Sequence, residues 1–242
     1  QAKNIMANKL PELSIFFPFW NEQDNIEKVV KKAIPVAEKL AEKWEIIMVD
    51  DGSTDKTLEI AKRLASQDKR LIAVSHEKNR GYGAALKSGF EKAKYDLVVF
   101  TDGDGQFDFS QVNKFLKKIE KSDIVIGYRK KRFDNPIRHV LMNLLKIWDF
   151  VFFGFAYRDI DCGFKMFKKD ALEKILPFKS EGAMITTEIL ARAKRKKLKI
   201  DQVEVSHYKR LFGDQSGGNL RVIVRAIRES FALWRDLHYG RN

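Results

Sequence analysis

A single cysteine, Cys162, stands among 242 residues. No internal disulfide can form, and a reducing compartment is the expectation that follows. No apolar run reaches the roughly 20 residues of a bilayer-spanning helix, and no secretory leader is recognisable. There is no internal repeat, low-complexity tract or clear linker, which favours one domain over residues 1–242. Acidic residues are in deficit: 33 Asp+Glu face 46 Lys+Arg, for a formal net charge of +13. That imbalance asks for anionic partners: nucleotide phosphates, acidic lipid headgroups or nucleic acid. Nucleic acid is set aside, because no DNA- or RNA-binding motif is present and carboxylates crowd the segments that carry the chemistry. A Walker A loop is missing too. Gly81-Tyr82-Gly83 lacks the Gly-Lys-Ser/Thr ending, and it does not follow the first strand as a dinucleotide fingerprint would. What remains, 44% hydrophobic and 33% charged, is the composition of a folded domain with a substantial core.

The first half alternates strand and helix patterns, which predicts a parallel sheet covered by helices. Strands are expected at 13–18, 45–49, 71–74, 97–101 and 124–127, and helices at 25–43, 54–65, 84–93 and 109–119. Pro35 falls inside the first helical pattern and predicts a kink or break there. After the fifth strand the character changes. Tyr128-Arg129-Lys130-Lys131-Arg132 is a basic run, and 137–157 is rich in Leu, Trp and Phe. That stretch fits a core helix or a helix lying in a membrane interface. A helix at 185–196, a strand at 200–205 and an amphipathic helix at 220–237 complete the pattern.

Four polar segments follow successive strands, where open parallel sheets bind ligands. Pro18-Phe19-Trp20-Asn21-Glu22 follows the first, with Asn21 or Asp24 alternatively a helix cap. Asp50-Asp51-Gly52-Ser53-Thr54-Asp55 follows the second. Its carboxylates suit a base N–H or ribose hydroxyls, while Ser53 or Thr54 makes a sound helix cap. Asn79-Arg80-Gly81-Tyr82-Gly83 follows the third and allows close approach to backbone at a helix start. Asp102-Gly103-Asp104-Gly105-Gln106 follows the fourth. Two carboxylates and an amide oxygen on a glycine turn make a hard site for Mg²⁺ or Mn²⁺, a shell that water and phosphate oxygens would complete. One cleft is thus expected to collect Asn21, Asp50, Asp51, Arg80, Asp102 and Asp104.

In this order and spacing the four segments resemble family 2 glycosyltransferases with the GT-A fold. Three later segments resemble the polyprenyl-phosphate branch of that family, which includes dolichyl-phosphate mannose synthases and undecaprenyl-phosphate sugar transferases. They are Asp161-Cys162-Gly163-Phe164-Lys165, Thr187-Glu188-Ile189-Leu190, and the loop from His207 through Arg210 to Ser216. The resemblance spans about residues 12–220. It implies an α/β fold with a mostly parallel central sheet, helices on both faces and an amphipathic helical elaboration after the fifth strand. Residues 12–127 would form the nucleotide-sugar half, 128–219 the acceptor half and 220–242 a C-terminal amphipathic helix.

The resemblance also implies roles. Asp50 and Asp51 would contact base and ribose. Asp102, Asp104 and Gln106 would hold the metal on the diphosphate. Asp104, Arg129 and Arg210 would form the catalytic set, with Arg129 and Arg138 on the acceptor phosphate or leaving diphosphate. Pro18, Asn21, Glu22, Arg80, Gly81, Gly103, Glu188, His207 and Ser216 would complete the substrate site. The implied partners are a nucleotide-sugar donor, a polyprenyl-phosphate acceptor and an anionic membrane surface, met peripherally from the cytoplasmic side. Departures from the pattern are Tyr82, where many relatives carry lysine, and Gly217-Gly218, where a lysine often follows the serine. The transmembrane helices usual after this domain are not in the sequence, which leaves a peripheral enzyme or a trimmed one. A saccharide or protein acceptor would need an Asp or Glu base after the Gly-Phe segment, for which Asp170 and Glu173 are the candidates. Cys162 is expected to be a packing residue, and His76 and His139 carry no signal.

Overall fold

The computed structural model describes residues 9–130, 148, 150–155, 157–210, 212 and 220–239, with backbone only at 220–224. Strands β1 (Leu10–Phe19), β2 (Ala41–Asp50), β3 (Leu71–Ser75), β4 (Leu97–Thr101), β5 (Ile124–Arg129), β6 (Phe164–Lys168) and β7 (Ile200–Val205) form one sheet, in the order β3-β2-β1-β4-β6-β5-β7. Every pairing is parallel except those of β6, which runs antiparallel between β4 and β5. The central strands are covered on both faces, so they read in sequence as unbroken apolar runs. Ile15 and Phe17 of β1 pack toward helices α1 (Ile26–Leu40), α2 (Thr57–Gln67) and α4 (Val112–Ile119). Phe16 packs the other way, toward α3 (Tyr82–Lys92), α5 (Lys169–Glu173) and α6 (Ile185–Arg195). A last helix, α7 (Leu220–Tyr239), closes the described chain. No described helix is long and apolar enough to cross a membrane.

The expected elements are present, with shifted ends, except the 137–157 stretch, most of which lies outside the described residues. Strands β1 and β2 are longer than predicted, at ten residues each. Helix α1 runs through Pro35 without a break and ends three residues early, at Leu40. Pro35 and Lys31, whose carbonyl the proline frees, both lie on the exposed side, where the freed carbonyl is open to solvent. The helix starts also differ. Asn25, not Asn21 or Asp24, precedes α1, and Lys56, not Ser53 or Thr54, precedes α2; neither makes a side-chain cap. Ser53 and Thr54 instead bind Asn21, whose own φ is +53°.

Strand β6 was hidden in sequence by Lys165. This lysine is fully buried, facing the same side as Phe167, and its Nζ donates to the carbonyls of Ile160 (3.0 Å) and Cys162 (2.5 Å). A charge at an inward position conceals a strand from any apolar-alternation reading. Burial holds the Lys165 ammonium below its ordinary pKa.

Candidate active site

The site is built where β1, β2 and β4 end. After β4, the Asp102 N–H donates to the Gly163 carbonyl (2.9 Å), fastening the aspartate to the turn that enters β6. The Tyr82 hydroxyl, from the first residue of α3, donates to Asp102 Oδ1 (2.7 Å). Gly103 lies against the Phe19 ring and the Pro18 carbonyl. The Gln106 N–H closes the turn onto Asp104 Oδ1 (3.0 Å). Burial pushes the Asp102 carboxyl up to about 7, with the Asp104 charge adding to the effect. Burial likewise raises Asp104. Two half-buried, mutually repelling carboxylates are a fitting seat for a divalent cation, which would relieve both penalties. Among the described residues no three His, Cys, Asp or Glu side chains are arranged to hold a metal by themselves. Asp102 and Asp104 would therefore hold Mg²⁺ or Mn²⁺ as a partial shell, leaving positions for water and phosphate oxygens.

Gln106 carries a second duty. Its Nε2 donates to the Tyr208 carbonyl (2.8 Å), and the Tyr208 N–H returns to the Gln106 carbonyl (2.9 Å). His207 is nine-tenths buried beside it, edge-on to Phe107 with ring centroids 5.1 Å apart. These contacts bring Arg210 over the carboxylates. Its guanidinium pairs with Glu22 Oε1 and lies 3.6 Å from Asp104 Oδ2, while its Nε donates to the Phe212 carbonyl (2.7 Å). Glu22 is buried, which raises its carboxyl, although the Asn25 amide and Arg210 both favour its charged form.

Asp50 and Asp51 part company. Asp51 is satisfied by protein: its oxygens accept from the Arg80 N–H (3.0 Å), the Gly81 N–H (2.8 Å) and His76 Nδ1 (2.6 Å). The other ring nitrogen, Nε2, hydrogen-bonds the Ser88 hydroxyl (2.9 Å). Asp51 thus shapes the Asn79–Gly81 loop, and His76 backs it. Asp50 is 1% exposed, and its Oδ1 has no hydrogen-bond partner among the described residues. An acceptor lacking a donor at this strand end suits a base N–H.

Arg129 closes the cleft from β5. Its guanidinium forks onto Asp159, Nε to Oδ2 at 2.7 Å and Nη2 to Oδ1 at 2.9 Å, with both side chains under 10% exposed, at 7% and 4%. Burial alone would lower the guanidinium's pKa; the Asp159 pairing overrides this and holds it firmly charged. It is no solvated surface arginine, and its field favours ionisation of Asp102 and Asp104. Replacing it with methionine takes the charged partner from a buried carboxylate that keeps the backbone N–H of residue 129 (3.1 Å), so Arg129→Met should cost about 3 kcal/mol. Urea denaturation checks this, and adding Asp159→Asn should recover part of the loss.

The remaining candidates are placed elsewhere. Glu188 is fully buried and accepts from the N–H groups of Lys179 and Ser180 and from Arg192, so it scaffolds a loop rather than meeting substrate. The Arg80 side chain points away from the carboxylates to Glu181 (3.0 Å). Arg138 and Ser216 lie outside the described residues. Cys162 is buried, and burial pushes its thiol up to about 12, as suits a packing residue. His76 and Asp159 were missed because their partners are 25 and 30 residues away, beyond any local pattern.

The dolichyl-phosphate beta-glucosyltransferase of Saccharomyces cerevisiae is 30% identical over 89% of this chain and 71% of its own length. An undecaprenyl-phosphate 4-deoxy-4-formamido-L-arabinose transferase of Photorhabdus laumondii is 27% identical over 89% of this chain, which spans 66% of that relative. Among solved structures, glucosyl-3-phosphoglycerate synthase of Mycobacterium tuberculosis with phosphoglyceric acid has a TM-score of 0.70 at 22% identity, covering 100% of this chain and 84% of that one. The same enzyme with Mn²⁺, UDP-glucose and phosphoglyceric acid also has a TM-score of 0.70 at 22% identity, over 98% of this chain and 82% of that one. At that identity the likeness speaks for the fold, which is GT-A. The model of glycosyl transferase family 2 matches residues 14–176, from within β1 through α5, and the chain belongs to that family.

Proposed function

We propose that this glycosyltransferase moves a sugar, with inversion, from a UDP- or GDP-sugar to a polyprenyl phosphate at the cytoplasmic face of a membrane. The observation that carries the reading is the half-buried Asp102–Asp104 pair flanked by Arg129 and Arg210. A lipid phosphate oxygen attacks the anomeric carbon, and the nucleoside diphosphate departs. Mg²⁺ or Mn²⁺ on Asp102 and Asp104 would supply charge compensation for that leaving group. Asp50 accepts from the base. Arg210 leaves Glu22 to meet the diphosphate, and Arg129 lends positive field to the incoming phosphate. The nucleophile is already anionic, so positioning and electrostatics suffice.

The placement of the base candidates supports a phosphate acceptor. Asp170 and Glu173 lie on α5, which follows the end of β6 paired with Leu97, the opposite end of β4 from Asp102. Along five residues of β4 that is on the order of 15 Å, too far for a proton transfer. Nearer the Gly-Phe turn stands Asp161, whose Oδ1 accepts from the Thr186 hydroxyl (3.2 Å). A membrane surface is supported by the exposed Phe150, Val151, Ile227 and Phe231, backed by the stacked rings of Trp148 and Phe152. Flotation with phosphatidylglycerol vesicles should carry the protein upward; failure to float would remove the membrane surface from the reading.

The deciding experiment is a panel of UDP- and GDP-sugars with Mn²⁺ and a short polyprenyl phosphate, scored for nucleotide release. Release requiring both lipid phosphate and metal is expected. Release with a saccharide alone moves the acceptor to the hydroxyl class. In the same assay, Arg210→Ala should lower kcat about 100-fold while nucleotide affinity changes less than tenfold, because the arginine serves the departing charge. An affinity loss equal to the rate loss would make Arg210 an ordinary binding residue.

A further inference from the structure

The loop that enters α3 is held from two sides, and only one of them is the cleft. Asp51 takes the Arg80 and Gly81 N–H groups from the β2 side. From the other side comes segment 179–182. The Glu181 carbonyl accepts the Ala84 N–H (3.1 Å), and a Cβ on Gly81 would come within 2.6 Å of that carbonyl oxygen. Gly81 has a φ of +112°, so it is confined both by its backbone and by its neighbour. The next residue is Tyr82, whose hydroxyl holds Asp102. A displacement of segment 179–182 therefore reaches the donor loop and the metal carboxylate together.

Two carboxylates hold that segment by successive N–H groups. Glu188 of α6 takes those of Lys179 and Ser180. Glu229 of α7 takes those of Glu181 (3.3 Å) and Gly182 (3.0 Å). Arg225, one turn earlier on α7, orients Glu229 through its Nε (2.9 Å) and donates from Nη1 to the Arg80 carbonyl (3.0 Å). Arg80 and Arg225 share Glu181, at 3.0 and 3.4 Å. A helix whose other side presents Ile227 and Phe231 to solvent thus reaches the backbone of the donor loop directly.

We infer that Glu229 and Arg225 are positioning residues for the nucleotide-sugar donor, acting through segment 179–182 and the Arg80 carbonyl. The inference rests on the donor reading above. Neither residue touches the reacting atoms; each sets where the loop stands.

A merely structural role would be to anchor α7, and the helix offers a control for it. Asp236, further along, ties α7 to the Lys179 side chain and to Arg192 (3.2 Å) but takes no backbone N–H of segment 179–182 and does not touch the Asn79–Gly81 loop. The test compares the parent chain with R225A, E229Q and D236N, following thermal unfolding, direct titration of UDP and GDP with Mn²⁺, and donor KM and kcat. R225A and E229Q should weaken nucleotide binding and raise donor KM about tenfold, with kcat at saturating donor within about twofold. D236N should lower the melting temperature and leave donor affinity unchanged. R225K should recover part of the loss. If R225A fails to fold, E229Q, which keeps an acceptor for the two N–H groups, carries the comparison. Equal affinities in parent and variants, or an equal loss in D236N, would overturn the inference while leaving the proposed function standing. A parent chain that binds neither nucleotide would overturn both.

Discussion

Asp104→Ala should lower transfer by roughly 10³-fold and leave the protein melting at or above the parent temperature. The two halves of that expectation have one cause. Asp104 is a half-buried carboxylate beside another, and desolvation raises both. Its charge is therefore a liability to the empty fold and an asset only once a cation and a diphosphate arrive. Removing it takes away repulsion felt by Asp102 and one of the two anions facing Arg210. Calorimetric melting and initial rates with saturating Mn²⁺ test both halves. Full turnover would dismiss the carboxylate pair as the metal seat. A fold that collapses would mean that the Arg210–Asp104 contact, long at 3.6 Å, matters more to stability than its geometry implies.

Gly163→Ala should be nearly as damaging through a single methyl group. An added Cβ would stand 2.0 Å from Asp102 Oδ2, and Asp102 cannot retreat without surrendering Tyr82. Because the clash is with a side chain and not with backbone, the cost in stability should be moderate, about 1–3 kcal/mol. The cost in function should be large, about 100-fold in rate with a marked rise in the Mn²⁺ concentration needed for half activity, since a shift of about 1 Å suffices to lose that much. Metal titration of initial rates distinguishes this from general unfolding. An unchanged metal requirement would show that Asp102 can accommodate the methyl group without leaving its post.

The four strand-end segments were legible because each combined an apolar run with Asp, Asn or Gly at its close, and a parallel sheet gathers such ends. Long-range pairings were not legible. Arg129 announced itself as a basic residue just past the strand expected at 124–127, but its buried partner Asp159 is separated from it by thirty residues. Glu188 matched a family segment, yet its oxygens are consumed by backbone N–H groups that nothing in the local sequence marks. Pro35 carried a strong local signal that its exposed setting neutralised. Strand β6 was lost because a buried lysine satisfied by backbone carbonyls looks in sequence like a solvated one.

The place of β6 has a consequence for the order in which the molecule can be completed. The carboxylates that would seat the metal are made early, at the end of β4, but their supports come later in the chain. Until Gly163 emerges, the Asp102 N–H has no carbonyl to meet, and until Lys168 emerges β4 has an open edge where β6 should pair. A nascent chain leaving the ribosome thus carries the donor residues for some sixty residues of synthesis before the pocket around them can close. A fragment ending at Arg129 would hold Asp50, Asp102 and Asp104 and still lack the place where they work.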